Sequence, residues 1–137
     1  MCAQSTISSD HKGYVPADGL IDNGRGLLEI KCPYSLKDSD LKSETRGGSF
    51  YNVSNGKLIL RRSHSYFFQI QCQMYVTGAR YTDFFIYTTK GHHTERIHYD
   101  HKFARDMVLK AIKGFRTFVI PEYFEQRGPR KLPIIEL

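Results

Sequence analysis

Val15 to Pro33 reads VPADGLIDNGRGLLEIKCP, and the fold is decided there. Two runs rich in Val, Ile and Leu flank Asp22-Asn23-Gly24-Arg25-Gly26. Asn-Gly between apolar runs is a hairpin turn signal. Side chains alternate along a strand, so Glu29 and Lys31 share one face of the second arm. Leu28, Ile30 and Cys32 take the other face, which this pattern assigns to the core. Asp18 lies at the end of the first arm, within reach of Glu29 across the hairpin. The pattern therefore brings two carboxylates and one ammonium to a single exposed spot.

Two close carboxylates repel each other and hold a hard cation. Mg²⁺ takes a few carboxylate oxygens, completed by water and substrate phosphate. Such an ion polarises a phosphoryl group and lowers the pKa of water. A lysine beside it can orient that water or offset developing charge. The plainer reading is a solvated hairpin face carrying a cross-strand Glu–Lys pair, and spacing alone favours it, because such short motifs have many false positives.

The letters go further. Asp18-Gly19, ten intervening residues, then Leu28-Glu29-Ile30-Lys31-Cys32-Pro33 resembles the PD-(D/E)XK nuclease signature. It is most similar to the branch of phage lambda exonuclease and the YqaJ-type viral recombinases, with Ser-Pro-Asp-Gly, a turn, then Leu-Glu-x-Lys-Cys-Pro. The resemblance implies Asp18 and Glu29 as metal ligands, the Ile30 carbonyl as a third, and Lys31 as the catalytic lysine. It implies Mg²⁺ (or Mn²⁺) as cofactor and DNA as partner. One departure stands at Val15-Pro16-Ala17-Asp18: the proline is displaced by one, and the family's phosphate-binding serine is missing.

The second informative stretch is Ser63 to Thr77, SHSYFFQIQCQMYVT. Ser63 or Ser65 is a suitable helix cap. Phe67, Ile70 and Met74 share one helical face and Phe68, Cys72 and Tyr75 another, so a mostly buried helix is expected. Gln69 and Gln73 lie one turn apart on the remaining polar strip. Gln71 points elsewhere. Gln69-Ile70-Gln71 followed by Tyr75-Val76-Thr77 resembles the Gln-Val-Gln helix of lambda-type exonucleases. That likeness implies Gln69 in the active site. Gln71 and Tyr75 satisfy the Gln-x-x-x-Tyr motif of helicase-linked nucleases and are carried as DNA contacts.

The remaining chain supplies the scaffold. Its 137 residues suffice for one domain with a real core. A net charge of +6 suits a polyanionic partner. No apolar run approaches the roughly 18 residues of a membrane span, and no signal-peptide core opens the chain. Three scattered cysteines, Cys2, Cys32 and Cys72, read as free thiols of a reducing compartment. An intracellular location is expected, nuclear in a eukaryote, cytoplasmic in a bacterium or phage.

Residues 1–13 read as a flexible lead-in, 14–127 as the nuclease domain, and 128–137 as a tail. Relatives carry helices ahead of the hairpin, one with a further acidic residue. The resemblance thus implies that a missing N-terminal segment, another region or another subunit completes the site. Because lambda exonuclease forms a ring around DNA, a homo-oligomer is also implied.

Ser35-Leu36-Lys37-Asp38 is a helix start and Gly47-Gly48 a break. Phe50 to Leu60 is a second hairpin around Ser54-Asn55-Gly56. Arg61-Arg62 is either a solvated pair or a clamp on the DNA backbone. Arg80 to Thr88 is an interior strand and His92 to Tyr99 an edge strand. His92 and His98 share a strand face but lie too far apart along it for zinc. A long helix starts at Asp100 and breaks or kinks at Pro121.

The fold expected is α/β, a restriction-endonuclease-like core with a mixed β-sheet flanked by helices. The function expected is a metal-dependent DNA nuclease of the exonuclease type, acting in recombination or repair. Two alternatives come from other classes. One is a non-catalytic DNA-binding module on the same fold. The other is an RNA- or protein-binding sheet using exposed aromatics.

Overall fold

The structure is a computed structural model, and it describes residues 17–41, 48, 50–126 and 128–131. The expected lead-in, most of the tail beyond 131 and Gly47 lie outside the described residues. The chain divides into two units, Met1–Asp100 and His101–Leu137, so the nuclease domain expected over 14–127 spans both.

The first unit holds a four-stranded mixed sheet in the order β1-β2-β5-β6. Strand β1 (Gly19–Ile21) pairs antiparallel with β2 (Gly26–Lys31), Gly19 opposite Leu28. The Asp22–Arg25 turn joins them, as the Asn-Gly signal predicts, with Asn23 at φ 52°. Gly26 opens β2 because Tyr81 lies against it: a Cβ there would sit 2.5 Å from that ring.

Strand β2 runs parallel to β5 (Tyr81–Thr88), Glu29 opposite Phe84, and β5 pairs antiparallel with the edge strand β6 (Gly91–His98). A parallel neighbour requires a crossover. Here it carries a hairpin, β3 (Tyr51–Ser54) with β4 (Lys57–Leu60), and then helix α1 (Ser65–Thr77). A single turn of 3-10 helix at Tyr34–Leu36 precedes them. The hairpin, the interior strand and the edge strand thus lie where the sequence pattern puts them.

The core lies between the inner sheet face and α1. Leu27, Thr82, Phe84, Ile86 and Ile97 face inward, and Phe67, Ile70 and Met74 of α1 are buried with them. The small hairpin is tied to β6 by side chains. Glu95 accepts from Leu60 N at 2.8 Å, and His93 Nε2 meets the Leu58 carbonyl at 2.8 Å.

Two expectations about α1 are corrected. Neither serine caps it: His64 is the N-cap, its Nδ1 accepting from Tyr66 N at 3.2 Å. The second apolar face is not buried either. Phe68 is 40% exposed, Tyr75 49%, and Cys72 is exposed, because only the face carrying Phe67, Ile70 and Met74 meets the sheet. Gly78, at φ 75°, closes the helix by donating to the Met74 carbonyl at 2.9 Å.

The second unit is one helical run: α2 (His101–Gly114), a π-type turn at Phe115–Val119, and α3 (Ile120–Glu125). Pro121 does not break it. A proline inside an α-helix removes the bond to the residue four back and clashes with its carbonyl. That residue, Thr117, lies in the wider turn, which absorbs the mismatch.

Candidate metal and catalytic site

Extending the β1–β2 register by one residue sets Asp18 opposite Glu29, since Gly19 faces Leu28. Asp18 Oδ2 accepts from Ile30 N at 2.7 Å. This bond occupies a backbone donor that β1 is too short to reach. The N–H and C=O of one strand residue point to the same side. The Ile30 carbonyl therefore faces the Asp18 side, beyond the end of β1.

Glu29 corrects the sequence expectation. It and Lys31 do share a face, but it is the inner one. Glu29 is 2% exposed, whereas Cys32 is exposed and Leu28 and Ile30 are half-buried. The reason lies in Leu27, which belongs to the Glu29 row and is fully buried. With α1 over that row, Glu29 sits beneath the helix at the rim of the core.

A carboxylate so deeply buried must be hydrogen-bonded to be tolerated. Three donors meet it. Lys31 Nζ lies 2.5 Å from Oε1, Gln69 Nε2 2.8 Å from the same oxygen, and Gln73 Nε2 2.9 Å from Oε2. Gln69 and Gln73, one helical turn apart, grip both oxygens from above. The sequence reading brought Gln69 to the site. It put Gln73 on the same polar strip but gave it no part, and the four-residue spacing was the signal available.

Lys31 has a second contact. Its ammonium lies 5.0 Å from the centre of the Tyr66 ring, which meets His64 edge-on at 4.6 Å. Tyr66, not singled out from sequence, thus lies over the lysine from the first turn of α1.

The residues expected on DNA are elsewhere. Gln71 is corrected: it is 0% exposed, with its amide donating to the His98 carbonyl at 3.0 Å and accepting from Asp100 N at 2.9 Å. It ties α1 to the end of β6 and presents no surface to a ligand. Tyr75 is exposed on the outer side of α1. Arg61 Nε donates to Asn52 Oδ1 at 2.9 Å. Arg62 pairs with Asp100 at 2.5 Å and lies 4.8 Å from the Phe67 ring centre. Of the two histidines on one face of β6, His92 stacks on Phe85 at 5.3 Å, and His98 lies 6.4 Å from Tyr81. Among the described residues no three His, Cys, Asp or Glu side chains form a metal-holding group.

Asp18, Glu29 and the Ile30 carbonyl can offer oxygen donors only. That chemistry suits a hard cation completing its shell with water and phosphate, and does not suit zinc. A lysine in contact with one of the carboxylates completes the pattern of Asp18, Glu29 and Lys31.

Among the described residues no helix is long and apolar enough to cross a membrane. No curated protein and no solved structure matches the chain. A family model does, that of the YqaJ-like viral recombinase domain, over residues 4–80. The match stops ahead of β5. It takes in the Asp18 hairpin, the Glu29-Ile30-Lys31 strand and the glutamine helix, and covers more than half of the 137 residues. With its mixed sheet, crossover helix and buried acidic site, the chain belongs to the YqaJ-like viral recombinase family.

Proposed function

We propose that this chain hydrolyses phosphodiester bonds in DNA, as an exonuclease acting in recombination or repair, with Mg²⁺ or Mn²⁺ held by Asp18, Glu29 and the Ile30 carbonyl. The observation that supports this most is the meeting of Asp18 with the Ile30 backbone, one residue from a buried Glu29 that contacts Lys31. A buried acid is costly to fold even when one ammonium and two amides meet it. Its place across the hairpin from a second carboxylate favours a ligand of opposite charge.

The cation, when bound, supplies Lewis acidity at the phosphoryl oxygen and a lowered water pKa. The remaining work belongs to the chain. Asp18 is oriented by the Ile30 N–H, and Glu29 Oε1 by Gln69. Lys31 lies between solvent and the Glu29 carboxylate, its side chain 21% exposed. From there its ammonium can hold the attacking water or offset charge developing on the scissile phosphate. Gln69, half-buried beside it, orients the same carboxylate oxygen. Arg61, Arg62 and the exposed Tyr75 are assigned to the DNA itself, the arginines on phosphates.

The test is cleavage of end-labelled linear duplex DNA in Mg²⁺ and in EDTA, beside Glu29→Ala and Lys31→Ala. Stepwise loss of one strand that needs Mg²⁺ and both side chains is the expected result. Binding that weakens with salt but yields no Mg²⁺-dependent product identifies a non-catalytic DNA-binding module instead. Cleavage by Lys31→Ala at the parent rate removes the lysine from the mechanism.

A further inference from the structure

We infer that Gln73 is a positioning residue whose amide sets the orientation of Glu29 for cation binding; the inference rests on the proposed function. Four observations carry it. The Glu29 carboxylate is 2% exposed, so its rotation is limited by what surrounds it. Gln73, itself 4% exposed, donates to Oε2 at 2.9 Å. Gln69, one helical turn earlier, donates to Oε1 at 2.8 Å, so the two amides grip both ends of the carboxylate. The Lys31 ammonium, the one positive group at Glu29 among the described residues, lies on Oε1 and not on Oε2.

The two oxygens therefore have different surroundings. Oε1 is the side met by charge and by the half-buried groups. Oε2 is the side fixed by a neutral donor inside the core. Asp18 is held in the same manner, through Oδ2 and the Ile30 N–H. Each carboxylate thus accepts from at least one neutral donor. Without Gln73 the inner oxygen would be buried with no amide to meet it. A buried carboxylate oxygen left in that condition is strongly unfavourable. The group would then rotate toward Lys31, and the relation of Glu29 to Asp18 would be lost while the fold persisted.

Partners that orient a metal ligand typically affect metal affinity by about 10–100-fold when removed. Gln73→Met keeps length and volume and deletes the donor. Gln73→Asn keeps an amide but stops one methylene short, and it decides the matter if the methionine variant does not fold. The probe is Mn²⁺ alone, titrated by electron paramagnetic resonance, with circular dichroism to verify the fold and steady-state cleavage to separate kcat from KM. The expected result is Mn²⁺ affinity at least about 10-fold weaker, with kcat reduced and KM for DNA unchanged. Folded variants that bind Mn²⁺ as tightly as the parent overturn the role of Gln73 while leaving the proposed function intact. A parent chain that binds no Mn²⁺ overturns the function and this inference together.

Discussion

Lys31→Met in metal-free buffer tests the electrostatics of the site independently of any catalysis. Glu29 is 2% exposed, and its donors are one ammonium at 2.5 Å and two neutral amides at 2.8 and 2.9 Å. Removing one member of a buried ion pair costs about 3–5 kcal/mol, because the other charge stays behind uncompensated. Two features reduce that figure here. The Lys31 side chain is 21% exposed, so water can reach the vacated place, and both glutamines remain. A loss of about 2–3 kcal/mol is expected, at or below the low end of that range. For a chain of this size it lowers Tm by roughly 10 °C. Adding Glu29→Gln to the Lys31→Met chain removes the stranded charge and should recover at least half of the loss. Urea unfolding of the parent, both single variants and the double variant, followed by far-ultraviolet circular dichroism in EDTA, gives the coupling directly. A coupling of about 2 kcal/mol is expected. A Lys31→Met cost below about 0.5 kcal/mol, or purely additive effects, would refute the claim that Glu29 depends on the lysine.

Two other predictions concern stability away from the site. Burial raises the Glu95 carboxyl above its ordinary 4.5, and the Leu60 N–H only partly offsets this. An acid whose native pKa is raised contributes stability below its unfolded value and loses it as pH rises through the native one. Glu95→Gln keeps an acceptor for Leu60 and abolishes the titration. The parent should therefore lose stability relative to the variant as pH climbs from 4.5, and a parallel pH dependence of the two Tm curves would contradict it. Among the described residues, Thr82 has a buried hydroxyl with no hydrogen-bond partner. Thr82→Val should stabilise by about 0.5–1 kcal/mol, read from the urea midpoint, since a buried polar group without a partner is costly. Destabilisation of that size would show that the hydroxyl is in fact satisfied.

The strands and turns were legible because their causes are local. Asn23-Gly24 and Asn55-Gly56 are turn chemistry, and YTDFFIYT has the β-branched and aromatic content of an interior strand. Gln69 was legible through motif order, and the Asp18–Glu29 opposition through hairpin register. The faces were not. Alternation divides Gly26–Lys31 into two rows but does not say which row α1 will cover. The apolar letters of Leu28, Ile30 and Cys32 pointed the wrong way, and the single Leu27 was the deciding residue. Helical periodicity likewise offered two apolar faces for α1, and only contact with the sheet chose one.

What the sequence by itself determined was placement: Asp18 and Glu29 on facing arms of one hairpin, Lys31 on the Glu29 face, and Gln69 on a helix. Only the tertiary structure decided that Glu29 is an interior acid, that Gln73 as well as Gln69 holds it, and that Gln71 is a strut between α1 and β6. The physical reason is separation along the chain. Gln73 lies 44 residues from Glu29, and Gln71 27 residues from His98. Such meetings arise from how a crossover helix docks on a sheet, and no local pattern encodes them.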